Sequence, residues 1–287
     1  FTIEKGKTLG VVGESGCGKS TLGRTIIHLQ ESTAGKIFLE GEPVNNLKGK
    51  ALRAAREKMQ IIFQDPYSSL DPRKTAEQTI REPLQVARKF SKAEIEEKTT
   101  ELMELVGIDE RLRKAYPHEL DGGRRQRIGI ARALALDPKF VVCDEPVSAL
   151  DVSIQAQVLN LLKKLQQDRG LTYMFVTHDM SVVRHISDDI CVMYLGQVVE
   201  KCPSKELFKN PLHPYTKALL SAIPSTDIHH PTKRMILKGE ITSPINPKPG
   251  CRFAARCPYA TEACRQPQKQ EEVSAGHFVT CCRIHEL

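Results

Sequence analysis

The sequence lacks any apolar run approaching the roughly 18 residues that a membrane span needs, and no stretch has the pattern of a secretory signal peptide. It also lacks internal repeats and low-complexity tracts, which leaves an ordinary folded chain. Basic residues exceed acidic ones only mildly, with a net charge of +7. That excess suits phosphate ligands or an anionic membrane surface and is too diffuse to argue for nucleic acid. With 287 residues, 40% apolar and 27% charged, there is enough chain for one large core plus an appendage. The chain starts at Phe1 without a methionine, within what reads as a strand, Phe1-Thr2-Ile3-Glu4, so residues upstream of it are expected.

What is present is organised around Gly13-Glu14-Ser15-Gly16-Cys17-Gly18-Lys19-Ser20, followed by Thr21. This is the phosphate-loop pattern G-x-x-x-x-G-K-[ST], with an apolar run, Thr8 to Val12, before it and a helical pattern after it. Glycines let successive N–H groups turn toward a triphosphate, and the helix N-terminus adds its positive end. Lys19 is expected to reach the β- and γ-phosphates and the Ser20 hydroxyl to hold Mg²⁺. Cys17 is expected to serve through its backbone.

Further along, Gly35 to Gly41 alternates as a strand does, and Met59 to Phe63 reads as a buried strand ending at a two-proline loop, Gln64 to Arg73. Helical periodicity then runs from Thr75 to Leu136, with Glu94 to Val106 amphipathic and Gly107 as a stop. The last helix of that block, Arg125 to Leu136, is entered through Leu120-Asp121-Gly122-Gly123-Arg124. An apolar strand, Phe140 to Cys143, delivers Asp144 and Glu145. Asp144 can hold Mg²⁺ through water, and Glu145 is placed to orient and deprotonate an attacking water. A helix over Ile154–Gln167 and a strand over Thr172–Thr177 follow, the strand delivering His178. Ile190 to Tyr194 and Gln197 to Glu200 predict a hairpin around Leu195-Gly196; beyond about Cys202 the sequence reads as loops with short helices. His229-His230 beside Pro231 reads as loop, and Arg124 to Arg127 as a solvated helix face.

The series of phosphate loop, Gln64, glycine pair, Asp144-Glu145 and His178 resembles the ATP-binding cassette family. Phe63 to Arg73, Cys143 to Ser153, Asn210-Pro211-Leu212-His213-Pro214-Tyr215-Thr216 and Gly250-Cys251-Arg252-Phe253 resemble the ATPase subunits of its dipeptide and oligopeptide importers. The resemblance implies an α/β fold: a RecA-like ATP-binding core at residues 1–74 and 137–200, a helical signature subdomain at 75–136, and a cysteine-rich C-terminal extension at 201–287. It implies Gln64 as a Mg²⁺- and water-sensing residue, His178 as the γ-phosphate switch, and Ser148-Ala149-Leu150-Asp151 as a loop crossing a head-to-tail dimer. An aromatic residue upstream of Phe1 is expected to stack on adenine. Implied partners are a second ATPase, two transmembrane permease subunits and an extracytoplasmic substrate-binding protein. Nucleic acid is not implied, and the location is the cytoplasmic face of the membrane, held peripherally. An importer of nickel or another small solute shares these motifs. The rival from another class is a soluble cassette ATPase acting on nucleic acid or ribosomes, which leaves the glutamine-loop and tail motifs unexplained.

The family's Leu-Ser-Gly-Gly-Gln signature is replaced here by Leu120-Asp121-Gly122-Gly123-Arg124. A carboxylate about 4 Å from a phosphate charge costs on the order of 4 kcal/mol at an effective dielectric of about 20. Alternatively, Asp121 turns away and caps the following helix. The first reading predicts a weakened ATP site and leans toward a paralogous partner.

Five of the nine cysteines, Cys251, Cys257, Cys264, Cys281 and Cys282, crowd the last 37 residues. Four thiolates suit either zinc or an iron–sulfur cluster, although the paired C-x2-C of common zinc modules is missing. A metal-free structural cluster is the third reading. The family resemblance implies a [4Fe–4S] cluster on Cys251, Cys257, Cys264 and Cys281, with Cys282 as the competing fourth ligand.

Overall fold

The structure is a computed structural model that describes residues 1–224, 234–237, 239, 245, 247 and 249–286. His229, His230 and Pro231 lie outside the described residues. In chain order the elements are β1 (Thr8–Val12), α1 (Lys19–Ile26), β2 (Phe38–Leu39), β3 (Glu42–Pro43), α2 (Gly49–Lys58), β4 (Met59–Ile62), α3 (Ala76–Ala87), α4 (Lys92–Leu105) and α5 (Gly122–Leu134). Then follow β5 (Phe140–Asp144), α6 (Val152–Arg169), β6 (Thr172–Thr177), α7 (Met180–Ile186), β7 (Asp189–Tyr194), β8 (Gln197–Pro203), α8 (Ser204–Lys209), α9 (Pro214–Ser221), β9 (Glu271–Ser274) and β10 (His277–Val279). The chain divides into two units, residues 1–7 with 21–174 and residues 8–20 with 175–287.

In the first unit β4 and β5 run parallel in the register Met59↔Phe140 to Ile62↔Cys143. Helices α3, α4 and α5 pack on one another. Capping boxes start the first two, Thr75 with Gln78 and Ser91 with Glu94, each satisfying two N–H groups that have no partner inside the helix. Arg113 joins α3 to α4 by pairing with Glu77 at 2.8 Å and with Glu96. Ion pairs this exposed on one side add little singly, but here several carboxylates share one half-buried guanidinium.

In the second unit the strand order is β1-β7-β8-β10-β9, with β1 and β7 parallel and the remaining neighbours antiparallel. The β7–β8 turn has positive φ at both Leu195 and Gly196, the geometry whose twist matches a hairpin. The core joins Val12, Val183, Ile190 and Val192 to Tyr194, Tyr215 and Phe253.

Several expectations are corrected. Phe1 to Glu4 is not a strand. Only Phe38–Leu39 of the Gly35–Gly41 stretch pairs, because Gly35, Glu40 and Gly41 all adopt positive φ and turn the chain. The signature helix starts at Gly122, three residues early, since Asp121 supplies the cap that lets two poor helix formers begin it. The tail holds two strands as well as short helices: β10 pairs Phe278 with Lys201 and Val279 with Glu200.

Candidate functional site

The phosphate loop joins β1, buried along its whole length, to α1. Gly13, Gly16 and Gly18 all have positive φ. A Cβ on Gly13 would sit 2.2 Å from the carbonyl oxygen of Met193, so backbone approach as well as φ requires glycine there. Lys19 is buried, and its ammonium donates to the carbonyls of Gly13 (2.7 Å) and Glu14 (3.0 Å), folding back over the loop. Cys17 is also buried, with its sulfur 3.8 Å from Lys19 Nζ and its carbonyl accepting from Gly196 N at 2.7 Å. Burial pushes this thiol up, so its side chain fills space beneath the lysine. Ser15 and Gly16 face solvent, and Ser20 and Thr21 open the first turn of α1. His178, at the exposed end of β6, precedes Asp179, which caps α7 by accepting from Ser181 N at 2.7 Å.

The first unit carries the other candidates. Asp144 ends β5 fully buried, 3.4 Å from the guanidinium of Arg24. Glu145 follows with φ +45, a left-handed conformation that a side chain tolerates poorly. Its carboxylate accepts from Gln64 Nε2 at 3.1 Å. The structure thus joins Gln64 to Glu145, and no local pattern in the sequence announces that pairing.

At the signature, Asp121 Oδ1 accepts from Arg124 N at 2.7 Å while Oδ2 pairs with Arg124 Nη1 at 2.8 Å. This is the capping arrangement. Gly123 faces Ile154, whose Cγ2 lies 2.7 Å from the position of an added Cβ, and Gly122 faces Leu150 at 3.1 Å. The two glycines therefore serve the packing of α5 against residues 150–154. Gln155 holds that neighbouring loop by donating to the carbonyls of Val147 and Leu150, both at 3.0 Å.

In the tail, Cys251, Cys257, Cys264, Cys281 and Cys282 line one cavity of about 10 Å³. Gly250, at φ +96, lies where a Cβ would strike the Cys264 carbonyl, and Cys251 N donates to that carbonyl at 2.8 Å. The Cys264 and Cys282 sulfurs are 3.9 Å apart, so Cys282 stands among the donors. Burial pushes Cys251 up to about 11 and raises Cys257 and Cys281 as well. In number, kind and convergence the donors fit a thiolate-bound group, whose binding would release their protons. The void itself is about the size of one water, so a cluster fits only if the ring of thiols widens.

One buried set escaped the sequence reading. Glu200, Cys202 and His277 place their donor atoms within 4.8 Å of one another. Glu200 accepts from Leu212 N (2.8 Å) and His213 N (2.9 Å) and pairs with His277 Nε2 (2.7 Å). Burial pushes its carboxyl up, but the hydrogen bonds from His277, Thr216, Leu212 and His213 outweigh burial and hold it below the usual range. With its oxygens so engaged, Glu200 is a pin joining β8, the start of α9 and β10. His213, buried beside it, accepts from Tyr215 N at 3.1 Å and is pushed by burial down to about 4.

The sequence matches the ABC transporter family over residues 1–148 and the oligopeptide/dipeptide transporter C-terminal region over residues 199–264. The chain belongs to the ATP-binding cassette (ABC) transporter family, and its fold is that of the family's ATPase. It is 51% identical over 285 residues to the oligopeptide transport ATP-binding protein AppF of Bacillus subtilis (strain 168), covering 98% of this chain and 87% of AppF. It is 49% identical over 286 residues to the dipeptide transport ATP-binding protein DppF of Escherichia coli (strain K12), covering 100% of this chain and 86% of DppF. Among solved structures, cbiO1 from Clostridium perfringens, part of the ABC transporter complex cbiONQ, superposes with a TM-score of 0.67 at 29% identity, over 73% of this chain and 82% of cbiO1. The dimeric post-hydrolysis state of the cassette MJ0796, bound to ADP and Pi, gives 0.65 at 31% identity, over 71% of this chain and 88% of that one. Among the described residues no helix is long and apolar enough to cross a membrane.

Proposed function

We propose that this chain binds and hydrolyses ATP to power import of dipeptides or oligopeptides through an ABC transporter. The observation that carries the ATP reading is the phosphate loop, with three positive-φ glycines and a buried Lys19 closing over it. The peptide reading is supported by near-full-length identity of about one half to peptide-transport ATP-binding proteins.

In this reading residues 13–21 cradle the triphosphate, and Ser20, Asp144 and Gln64 hold Mg²⁺. Glu145 takes the proton from the attacking water, oriented by Gln64, and His178 senses the γ-phosphate. The signature, Asp121 to Arg124, closes the nucleotide site of a second ATPase, a paralogue, in a head-to-tail dimer, with the Asp121 carboxylate turned into its cap and paired with Arg124. Residues 1–74 and 137–200 form the ATP-binding core, 75–136 an inserted helical subdomain, and 201–287 a cysteine-rich extension. Two permease subunits and an extracytoplasmic binding protein complete the complex, which holds this chain peripherally at the cytoplasmic face of the membrane. Cys251, Cys257 and Cys264, with Cys281 or Cys282, hold a [4Fe–4S] cluster. Zinc is the alternative occupant: a tetrahedral ion with Zn–S of about 2.3 Å sets its sulfurs about 3.8 Å apart, and the Cys264 and Cys282 sulfurs stand at 3.9 Å.

The experiment is purification in mild detergent of the protein from its own cells, with the co-purifying chains identified. Two multi-span membrane proteins and a second ATPase are expected. Ribosomes, DNA-bound factors, or no membrane protein at all would overturn the transport reading.

A further inference from the structure

The phosphate loop is mounted from outside its own motif. Glu14, its second residue, donates its backbone N–H to the Tyr215 hydroxyl at 2.8 Å. Its carboxylate meets both terminal nitrogens of Arg256, at 2.7 and 3.2 Å, in the two-pronged geometry that guanidinium and carboxylate favour. Arg256 belongs to the cysteine-bearing segment, next to Cys257, and its side chain is 9% exposed against 27% for Glu14. Its guanidinium lies 6.0 Å from the centre of the Tyr194 ring. Tyr194 in turn packs edge-on against Tyr215 and Phe253, with centroids 4.8 and 5.2 Å away.

The same segment reaches the loop by a second route. Arg252 donates to the carbonyl of Leu195, and the next residue, Gly196, donates to the carbonyl of Cys17 at 2.7 Å. Residues 252 and 256 therefore hold the loop at two points, 14 and 17, from one short stretch of chain.

The first of these contacts carries a charge argument. A loop that receives a triphosphate gains nothing from a carboxylate of its own, because Glu14 opposes the anion. Arg256 cancels that charge and fixes the side chain that bears it. A loop already fixed also loses less freedom when the ligand arrives.

We propose that Arg256 is a positioning residue of the ATP site: it neutralises and immobilises Glu14, and with Tyr215 it sets the resting shape of the phosphate loop. This deepens the ATPase reading and rests on the loop being the ATP site.

The test is titration of a fluorescent ATP analogue with Mg²⁺ into the full chain, with melting temperatures in parallel. The native chain, Arg256→Gln, Arg256→Lys, Glu14→Gln and the double glutamine variant are compared. Arg256→Gln, which leaves the carboxylate unpaired, is expected to weaken binding about tenfold, and Arg256→Lys less. Glu14→Gln added to Arg256→Gln is expected to recover most of that loss, which a merely structural contact would not do. In the assembled ATPase, KM for ATP should rise in Arg256→Gln while kcat holds. Binding by Arg256→Gln within twofold of native, or a double variant as weak as Arg256→Gln alone, overturns the inference and leaves the ATP reading standing. A native chain that does not bind the analogue overturns both.

Discussion

The phosphate loop and the signature turn are both glycine-rich entries to a helix, and they use glycine for different physical reasons. In the phosphate loop Gly13, Gly16 and Gly18 have positive φ, and Gly13 abuts a backbone carbonyl. In the signature Gly122 and Gly123 are ordinary helical residues whose missing side chains make room for Leu150 and Ile154. The cation beside each differs too. Lys19 is buried and held by two carbonyls of its own loop, whereas Arg124 is exposed and pairs with the capping Asp121. One turn is a preformed cradle. The other is a helix start built for packing.

The comparison breaks most sharply at Gly13. Gly13→Ala puts a methyl group into the Met193 carbonyl, and neither backbone can yield cheaply. ATP binding is expected to fall more than a hundredfold, read by titration with the fluorescent analogue. If Gly13→Ala binds ATP normally, the loop is not held as described.

At His213 the expected effect is on stability. Its folded pKa lies near 4 against about 6.5 in the unfolded chain, so between these values the unfolded state binds the extra proton. Stability is full above about pH 6.5 and falls as pH drops toward 4, by on the order of 3 kcal/mol in all. Glu200, also lowered, loses its contribution in the same direction. Denaturant unfolding across this window should show the slope in the native chain and a flatter one in His213→Asn, which keeps a side-chain oxygen to cap α9.

Gly123→Ala is expected to cost about 1–2 kcal/mol, because Ile154 must shift to admit the methyl group while the helix gains about 1 kcal/mol in propensity. Gly122→Ala meets only the movable end of Leu150 and should be close to neutral in melting temperature. An equal loss at both positions would contradict the packing account.

Asp121 gives the smallest change. Asp121→Ser exchanges one good cap for another and should leave stability within about 0.5 kcal/mol, while Asp121→Ala costs about 1 kcal/mol. Turnover of the assembled complex should stay close to native in Asp121→Ser, because both carboxylate oxygens are already engaged by Arg124; a clear rise would mean that the carboxylate opposes the nucleotide.

Where a pattern is local, the residues announced the structure. The phosphate loop, its strand and its helix are contiguous, and β6 spans Thr172–Thr177 as its apolar run predicts. The Leu195-Gly196 hairpin was legible for the same reason. What could not be read is long-range. Arg256 and Glu14 stand 242 residues apart, and no periodicity links them. Strands β9 and β10 are short and carry no clean alternation, and they exist because β8 offers an edge to pair with. The helix start at Gly122 opposes intrinsic propensity and follows from the Asp121 cap and the fit against Ile154. Glu200 and His277 read as ordinary polar residues until the fold buries them together.

The proposed function couples ATP hydrolysis by this chain to peptide import. The most direct measurement is ATP hydrolysis by the complex reconstituted in lipid with its permeases and partner ATPase, with the binding protein added empty or loaded with peptide. Hydrolysis is expected to rise with the peptide-loaded binding protein and to collapse when Glu145→Gln is introduced here. Hydrolysis indifferent to peptide and to Glu145→Gln would contradict it.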